Sequence, residues 1–195
     1  MTGRLCVALG LLVFLAACGG GPGSPPKNLD NACSIVDQRP SYLKAMERTE
    51  RKWGVPVAVQ MATIYQESKF DGDARTPLRF AVGVIPMGRQ SSAFGYSQAL
   101  DGTWEEYQRD EGGRGARRDR FADASDFMGW YMYETKEKLG IPLNDARRQY
   151  LAYHEGRTGY ARGSYKRKGW LMSVSQNVAT RASMYQIQLE LCGKA

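Results

Sequence analysis

Hydrophobic residues recur at helical spacing between Pro56 and Ser68, and the rest of the chain is organised around this stretch. The stripe consists of Val57, Ala58, Met61, Ile64 and Tyr65. Such spacing predicts a helix with one face in the core. The helix is predicted to begin at Pro56, after Gly54, because a first helical residue needs no hydrogen-bonded N–H. It ends where the segment from Lys69 to Gly72 breaks the pattern.

Helical spacing, caps and stop signals predict five further helices elsewhere in the chain. Their ranges are 42–53, 101 to about 112, 122–139, 145 to about 156, and 170–191. Ser41 is the predicted N-cap of the first, and Gly54 and Gly140 are helix stop signals. Residues 70–94 show no helical period, although 79–86 fits a short strand or hairpin arm, and 158–169 is predicted to be an irregular loop. The pattern therefore predicts one mainly α domain with an irregular or small-β middle segment.

Glu67 is the candidate for chemistry within the Pro56 helix. It lies on the shoulder of the hydrophobic stripe, one turn beyond Ile64 and near the negative end of the helix dipole. Burial and the dipole both disfavour the ionised carboxylate and raise its pKa. A carboxyl group that stays protonated near neutral pH is suited to general acid catalysis. The alternative is a solvated glutamate at a helix end.

Residues 1–17 have the pattern of an export signal. Arg4 precedes an apolar run from Leu5 to Phe14 that is too short to span a bilayer. The Leu-Ala-Ala-Cys sequence that ends at Cys18 resembles the bacterial lipobox, which predicts a lipid anchor on that cysteine. An ordinary secretory signal with a coincidental cysteine is the alternative. Residues 18–30 are predicted to be a flexible tether, and residues 31–195 to be the folded domain.

The charge of the chain narrows the choice of partners. The formal net charge is +7, and removal of residues 1–17 takes away Arg4 and leaves +6. A basic exported protein suits the polyanionic polymers of the cell wall and outer envelope, whereas export argues against nucleic acid as a partner. We expect a monomer that is anchored in the cell envelope and faces the periplasm, with the outer membrane favoured over the inner one.

Two of the four cysteines fall within the predicted domain. Cys33 and Cys192 lie at its opposite ends, and an oxidising compartment predicts a disulfide between them. Two buried free thiols are the alternative. His154 is the only histidine, and one histidine makes neither a metal site nor a catalytic triad. Because no phosphate-binding loop is present either, the sequence predicts no cofactor.

Three short motifs lie at the ends of predicted elements. They are Glu67-Ser68, Gly95-Tyr96-Ser97-Gln98 and Ala152-Tyr153-His154-Glu155-Gly156. In this order the set resembles the lysozyme-like lytic transglycosylases of the SLT type, in which Glu-Ser is followed by Gly-Leu-Met-Gln and then Ala-Tyr-Asn-Ala-Gly. Tyr96 and Ser97 depart from the second motif, and His154 and Glu155 depart from the third. The resemblance covers roughly residues 53–165 and implies a lysozyme-like fold.

The resemblance also implies an activity, which is cleavage of the β-1,4 bond between N-acetylmuramic acid and N-acetylglucosamine in peptidoglycan. Glu67 would be the only general acid/base. It would protonate the bridging oxygen and then deprotonate the muramoyl C6 hydroxyl, which closes a 1,6-anhydro ring without a second carboxylate. Ser68, Gln98 and Tyr153 occupy the matching motif positions, and the resemblance implies that they bind the substrate. Tyr153 could also hydrogen-bond Glu67.

Each of these three residues also has a local alternative. Ser68 could have no role beyond capping a helix end, and Gln98 could satisfy backbone groups in a turn. Tyr153 could pack its ring in the core with its hydroxyl group in contact with solvent. Tyr96, an aromatic residue that could stack on a sugar ring or pack in the core, completes the predicted substrate-binding set together with Glu155.

Glu155 is the departure from the family pattern that matters most. If its carboxylate activated a water molecule, the product would be a reducing end, as in a hydrolytic muramidase. If it instead paired with an arginine such as Arg157, it would have no catalytic role. A third alternative, from another class, is a wall-binding lipoprotein that has kept the fold and lost the chemistry.

Overall fold

Seven α-helices and one β-hairpin make up residues 24–195, the part of the chain that the computed structural model describes. The helices are α1 (Ala32–Gln38), α2 (Pro40–Trp53), α3 (Val57–Ser68), α4 (Asp101–Tyr107), α5 (Phe121–Leu139), α6 (Ala146–Ala161) and α7 (Gly169–Leu191). A π-helical stretch, Gln108–Gly112, follows α4, and a 3₁₀ turn, Ser164–Arg167, precedes α7. The predicted signal peptide, Cys18 and the tether up to residue 23 lie outside the described residues.

All six predicted helices are present, with ends that differ by a few residues. α2 begins at Pro40, so Ser41 lies inside the helix and the prediction of Ser41 as its N-cap is wrong. Gly54 ends α2 in the left-handed conformation, as predicted. The sequence pattern does not predict α1, which is too short to show a period. Its N-cap is Asn31, whose side chain accepts a hydrogen bond from the Ser34 N–H.

The predicted irregular loop over 158–169 is wrong. At Gly156 the backbone leaves the helical conformation (φ 72°, ψ 155°), which corresponds to the predicted end of this helix. Helical geometry then resumes up to Ala161 and is followed by the 3₁₀ turn. Tyr160 stacks on Tyr165 with ring centroids 4.9 Å apart, so aromatic packing orders a segment whose glycines suggested a loop.

Between α3 and α4, the predicted small-β segment is confirmed as a two-stranded antiparallel sheet, but residues 79–86 are not one strand, because they include the turn between the two. Its strands are β1 (Leu78–Ala81) and β2 (Ile85–Arg89). The turn closes with a 3.2 Å hydrogen bond from the Val84 N–H to the Ala81 carbonyl. At the base, the Thr76 hydroxyl donates to the Ser91 carbonyl at 2.9 Å, which joins the two ends of the hairpin.

The core is built around α3, which packs against α2, α5, α6 and α7. Met61 and Ile64, from the predicted hydrophobic stripe, are fully buried. A buried polar side chain, Gln60, ties neighbouring helices together, because its Nε2 donates to the Met46 carbonyl at 3.0 Å and its Oε1 accepts from Ser125 at 2.8 Å. The end of α3 is therefore held from several sides, which fixes the residues of its last turn.

A disulfide joins the first and last helices, since Cys33 of α1 is bonded to Cys192 at the end of α7. This pairing was predicted from the sequence and is confirmed. The two cysteines are 159 residues apart, and closure of so long a loop stabilises a fold by up to ~5 kcal/mol in the chain-entropy model. Within residues 24–195, no helix combines the length and the apolar character needed to cross a bilayer.

Candidate active site

A cleft of about 460 Å³ opens between the end of α3, the base of the hairpin, and helices α5 and α6. Its lining includes residues of all three sequence motifs, namely Glu67, Gln98, Tyr153, His154, Glu155 and Gly156. Thr76 and Ser91 from the hairpin base line the same cleft. The fold thus brings together segments that are up to about 90 residues apart in the sequence.

Glu67 is held at the cleft by an abrupt end to its helix. The next two residues after Ser68, Lys69 and Phe70, both adopt positive φ angles of 54° and 61°, so the chain turns sharply away. Phe70 is fully buried and stacks in a ring cluster that includes Tyr42 and Phe121. This anchor compensates for the unfavourable backbone conformation and fixes the last turn of α3.

Burial raises the pKa of the Glu67 carboxyl to about 7. A hydrogen bond from the Tyr150 hydroxyl and the charge of Lys69 act in the opposite direction, and both are outweighed. The ammonium group of Lys69 lies 3.8 Å from the centroid of the Tyr65 ring. The carboxyl group has no ion-pair partner within the described residues, so burial dominates its pKa.

Tyr150 is a site residue that the motifs do not reveal. It lies on α6 one turn before Tyr153, it is buried, and its hydroxyl hydrogen-bonds Glu67. Burial first, and then the charge of Glu67, raise the pKa of Tyr150, so this hydroxyl remains a donor. The spacing of three residues between Tyr150 and Tyr153, which puts both rings on one helix face, is the signal in the sequence that could have found it.

Tyr153 lines the cleft as predicted, but its hydroxyl has another partner. It donates a 2.6 Å hydrogen bond to the Ser97 carbonyl, so the suggested bond from Tyr153 to Glu67 is wrong and Tyr150 provides that bond. Its ring packs edge-on against Tyr131 at 5.1 Å between centroids. Tyr153 therefore connects α6 to the turn of the second motif.

Gln98 also lines the cleft, in a turn that depends on Gly95. Gly95 has φ 75°, and a Cβ there would lie 2.2 Å from the Arg118 carbonyl oxygen, so no other residue fits without a shift. The Gln98 Nε2 donates to the carbonyls of Gly95 at 2.8 Å and Ala74 at 2.9 Å. Gln98 thus stabilises the turn, which was the alternative to substrate binding that the sequence suggested. With both N–H groups engaged, Oε1 is the atom that Gln98 offers to a ligand.

Two of the predicted substrate-binding residues do not line this cleft. Ser68 is buried, and its hydroxyl donates to the Ile64 carbonyl at 3.2 Å, because successive helical residues point in directions about 100° apart. Tyr96 has only 1% of its surface exposed, and its hydroxyl lies 2.9 Å from that of Tyr42. The prediction that Tyr96 binds substrate is wrong, since a sugar cannot reach a ring packed in the core.

Glu155 reaches the cleft but is enclosed by its own partners. Only 4% of its side chain is exposed, and Lys168 Nζ lies 2.7 Å from Oε1. Ser164 donates to Oε2, and His154 Nδ1 lies 3.1 Å from Oε1. Burial by itself would raise the pKa of Glu155, but these hydrogen bonds and the lysine charge outweigh it and lower the pKa to about 2.

The suggested pairing of Glu155 with Arg157 is therefore wrong, because the cation is Lys168. The Arg157 guanidinium instead lies 4.4 Å from the centroid of the Tyr131 ring and 3.8 Å from Glu106. His154 packs against Trp170, with ring centroids 5.2 Å apart. Its contacts are thus packing and local hydrogen bonding.

Comparison with known proteins agrees with the three motifs. A family model described as the transglycosylase SLT domain matches residues 6–192, which is nearly the whole chain. No curated protein matches the chain. The seven helices and the small two-stranded sheet form a mainly α, lysozyme-like single domain. The chain therefore belongs to the SLT-domain family of transglycosylases, which are lytic enzymes of peptidoglycan.

Proposed function

We propose that this protein cleaves the β-1,4 bond between N-acetylmuramic acid and N-acetylglucosamine in peptidoglycan, with Glu67 as its only general acid/base. The observation that carries the proposal is a carboxyl group that lines the cleft, accepts a hydrogen bond from Tyr150 and has no ion-pair partner within the described residues. Burial raises its pKa to about 7. At that pKa both the acid and the conjugate base are accessible near neutral pH. One group can therefore give up a proton and take another back within a single turnover.

In the first step the protonated Glu67 donates its proton to the glycosidic oxygen while the bond from that oxygen to the muramoyl C1 breaks. The N-acetylglucosamine chain leaves as an alcohol, and positive charge develops at C1. The Glu67 carboxylate then accepts the proton of the muramoyl C6 hydroxyl, whose oxygen forms a new bond to C1. The product is a 1,6-anhydromuramoyl end, and Glu67 is protonated again, so no water is consumed.

The surrounding residues support this sequence of steps. Tyr150 donates to the Glu67 carboxyl and would hold it in one orientation through both proton transfers. Gln98 Oε1 is suited to accept a hydrogen bond from a substrate N–H or O–H group. Both groups are neutral, as expected for a site in which a positive charge develops next to a carboxylate.

The position of Glu155 favours this reaction over hydrolysis. A second carboxylate that activates water must be free to accept a proton, whereas Glu155 has a pKa of about 2 and is bound by Lys168 and Ser164. Its basicity is therefore too low for a general base. Glu155 is better suited to joining α6 to the segment before α7.

Digestion of purified sacculi, followed by mass spectrometry of the released muropeptides, tests the proposal. We expect products with 1,6-anhydromuramoyl ends, which are lighter by one water than products with reducing ends. Reducing ends would instead assign the protein as a hydrolase. Glu67→Gln should release muropeptides about 10³-fold more slowly. Binding to sacculi without digestion by the unaltered protein would favour the non-catalytic, wall-binding alternative.

We further propose that the protein is exported and anchored in the cell envelope by a lipid on Cys18, after removal of residues 1–17. The disulfide between Cys33 and Cys192 supports an oxidising compartment, and the sequence from Arg4 to Cys18 supports the anchor. Metabolic labelling with palmitate should mark the protein, and Cys18→Ala should abolish the label. A mature protein that begins elsewhere without a lipid would contradict this proposal.

A further inference from the structure

The β1–β2 hairpin exposes an unusual amount of apolar surface. Its exposed apolar side chains are Leu78, Phe80, Val82, Val84 and Met87. Val82 and Val84, which flank the tip, are 90% and 76% exposed. Within the described residues no helix packs on either strand of this two-stranded sheet, and exposed apolar patches of this kind mark interaction sites.

The backbone conformation of the turn is unfavourable for Val82, the first of its two central residues. Val82 and Gly83 have φ angles of 52° and 76°, and two central residues with positive φ are typical of type I′ turns, which favour Asn, Asp and Gly. Valine is β-branched and is strained in this conformation. Local folding preference therefore does not explain valine here, whereas a need for an apolar tip does.

The charged side chains of the hairpin segment are all positive. Arg75, Arg79 and Arg89 belong to this region, and no acidic residue occurs between Asp73 and Asp101. Within the described residues, none of the three arginines has an ion-pair partner. The Arg75 guanidinium lies 4.0 Å from the centroid of the Phe94 ring, and Arg89 donates to the Thr76 carbonyl at 2.7 Å, so two of the cations are held near the base of the hairpin.

We propose that this hairpin docks on a lipid membrane that contains anionic headgroups. Its aliphatic tip would enter the boundary between headgroups and acyl chains, and its arginines would lie at the level of the lipid phosphates. A glycan strand is a poorer match, because the valine and leucine side chains offer no hydrogen bonds. Thr76 and Ser91 at the hairpin base also line the cleft, so docking would hold the cleft beside the membrane surface.

Depth-dependent fluorescence tests the docking directly. The mature chain, residues 18–195, carries Cys18→Ala in every sample, so that neither the apolar run of residues 5–14 nor an acyl group contributes, and Val84→Trp is compared with Ile187→Trp on α7. Ile187 is also exposed, which makes it a matched control. With vesicles of phosphatidylglycerol and phosphatidylethanolamine, acyl-chain-brominated lipid should quench Val84→Trp beyond the level that the four native tryptophans set in the parent protein. Ile187→Trp should not exceed that level. Equal quenching of the two variants would overturn the proposal.

Vesicle flotation with polar variants gives a second, independent readout. Arg79→Gln should weaken binding to anionic vesicles about fivefold, as expected for one arginine near an anionic surface. Val82→Asn with Val84→Thr should weaken it at least tenfold, and Asn at 82 suits the turn, so the fold is preserved. Ile187→Thr should change binding less than twofold.

The membrane proposal and the enzymatic proposal can be refuted independently of each other. Docking does not depend on Glu67, and the Val82→Asn/Val84→Thr variant should digest purified sacculi, which contain no membrane, at the rate of the unaltered protein. If this variant kept its vesicle binding, or lost sacculus binding while keeping vesicle binding, the hairpin would not be a lipid-docking surface. The second result would instead assign the hairpin to the glycan.

Discussion

The end of α3 and the break in α6 at Gly156 each present one glutamate to the cleft, and the two carboxyl groups differ in their neighbours. Glu67, at the end of α3, receives a hydrogen bond from a neutral tyrosine. Glu155, in α6, receives hydrogen bonds from Lys168, Ser164 and His154. The pKa is about 7 for the first carboxyl and about 2 for the second.

Burial alone does not explain this difference. It is the largest influence on both carboxyl groups and raises both pKa values. Glu155, with only 4% of its side chain exposed, is nevertheless the stronger acid, because three donors, one of them the Lys168 cation, stabilise its ionised form. The number and charge of donors decides which carboxyl group retains a proton for catalysis, and the following predictions test that contrast.

The largest effect is expected from Glu67→Gln, compared with Glu155→Gln as the matched change. Loss of the general acid/base should lower kcat for sacculus digestion about 10³-fold, whereas Glu155→Gln should stay within about tenfold of the unaltered protein. Circular dichroism and thermal unfolding serve as controls for the fold. A loss of comparable size in both variants would show that the two carboxyl groups act together in the reaction.

The same pair of substitutions should have opposite effects on stability. The raised pKa of Glu67 means that the unfolded chain ionises first, so this residue costs stability as pH rises from about 4.5 to about 7. At 1.36 kcal/mol per pH unit, the cost is at most about 3 kcal/mol. Glu67→Gln should therefore be more stable than the unaltered protein at pH 8 and equal to it at pH 4, as measured by urea unfolding.

The contribution of Glu155 to stability depends on pH in the opposite direction. Because its folded-state pKa is lowered, it stabilises the protein above about pH 4.5, and that contribution is lost as pH falls through about 2. Glu155→Gln should thus be less stable than the unaltered protein at pH 8. If both variants shifted stability in the same direction, the contrast between the two environments would be wrong.

Lys168→Met removes the main cation from Glu155 and should destabilise the protein by about 2 kcal/mol at pH 7, because a nearly buried carboxylate loses its partner. Adding Glu155→Gln should recover part of the loss. Lys166→Met, at an exposed lysine of the same segment, is the control and should cost less than about 0.5 kcal/mol. A loss in Lys168→Met that Glu155→Gln did not relieve would mean that the lysine acts through other contacts.

Helical spacing, together with caps and stop signals, was sufficient to predict most of the fold, although α3 buries every residue from Val57 to Ile64 and not one stripe alone. It also identified Glu67, whose position at the end of such a stripe determines its burial. Short-range patterns did not predict α1 or the ordering of residues 158–169, where a single N-cap and a Tyr160–Tyr165 stack supply the order. These are tertiary or capping effects that contribute no period to the sequence.

The partners of the site residues were harder to predict than the residues themselves. Glu155 and Lys168 are 13 residues apart, and only the break at Gly156 and the 3₁₀ turn bring them together. Tyr96 belongs to a motif that reaches the cleft, yet the positive φ angles of Gly95 and Gln98 turn its ring into the core. Motif position thus indicates which segment forms a site, whereas the backbone decides which side chains enter it.

Tyr150 allows the smallest but most specific test of the Glu67 environment. Its hydrogen bond lowers the pKa of Glu67, so Tyr150→Phe should raise that pKa and move the alkaline limb of the kcat/KM profile to higher pH. Because the carboxyl group also loses its orienting donor, the maximum rate should fall, by no more than about tenfold.

Tyr153→Phe is the matched control for this last prediction, since it removes a hydroxyl group of the same helix that is bonded to the Ser97 carbonyl. It should cost about 1 kcal/mol of stability and leave the position of the alkaline limb nearly unchanged. A limb that moved in Tyr153→Phe and not in Tyr150→Phe would reverse the assignment of the two tyrosines. The orientation of the acid would then depend on the residue of the sequence motif, and Tyr150 would be a packing residue.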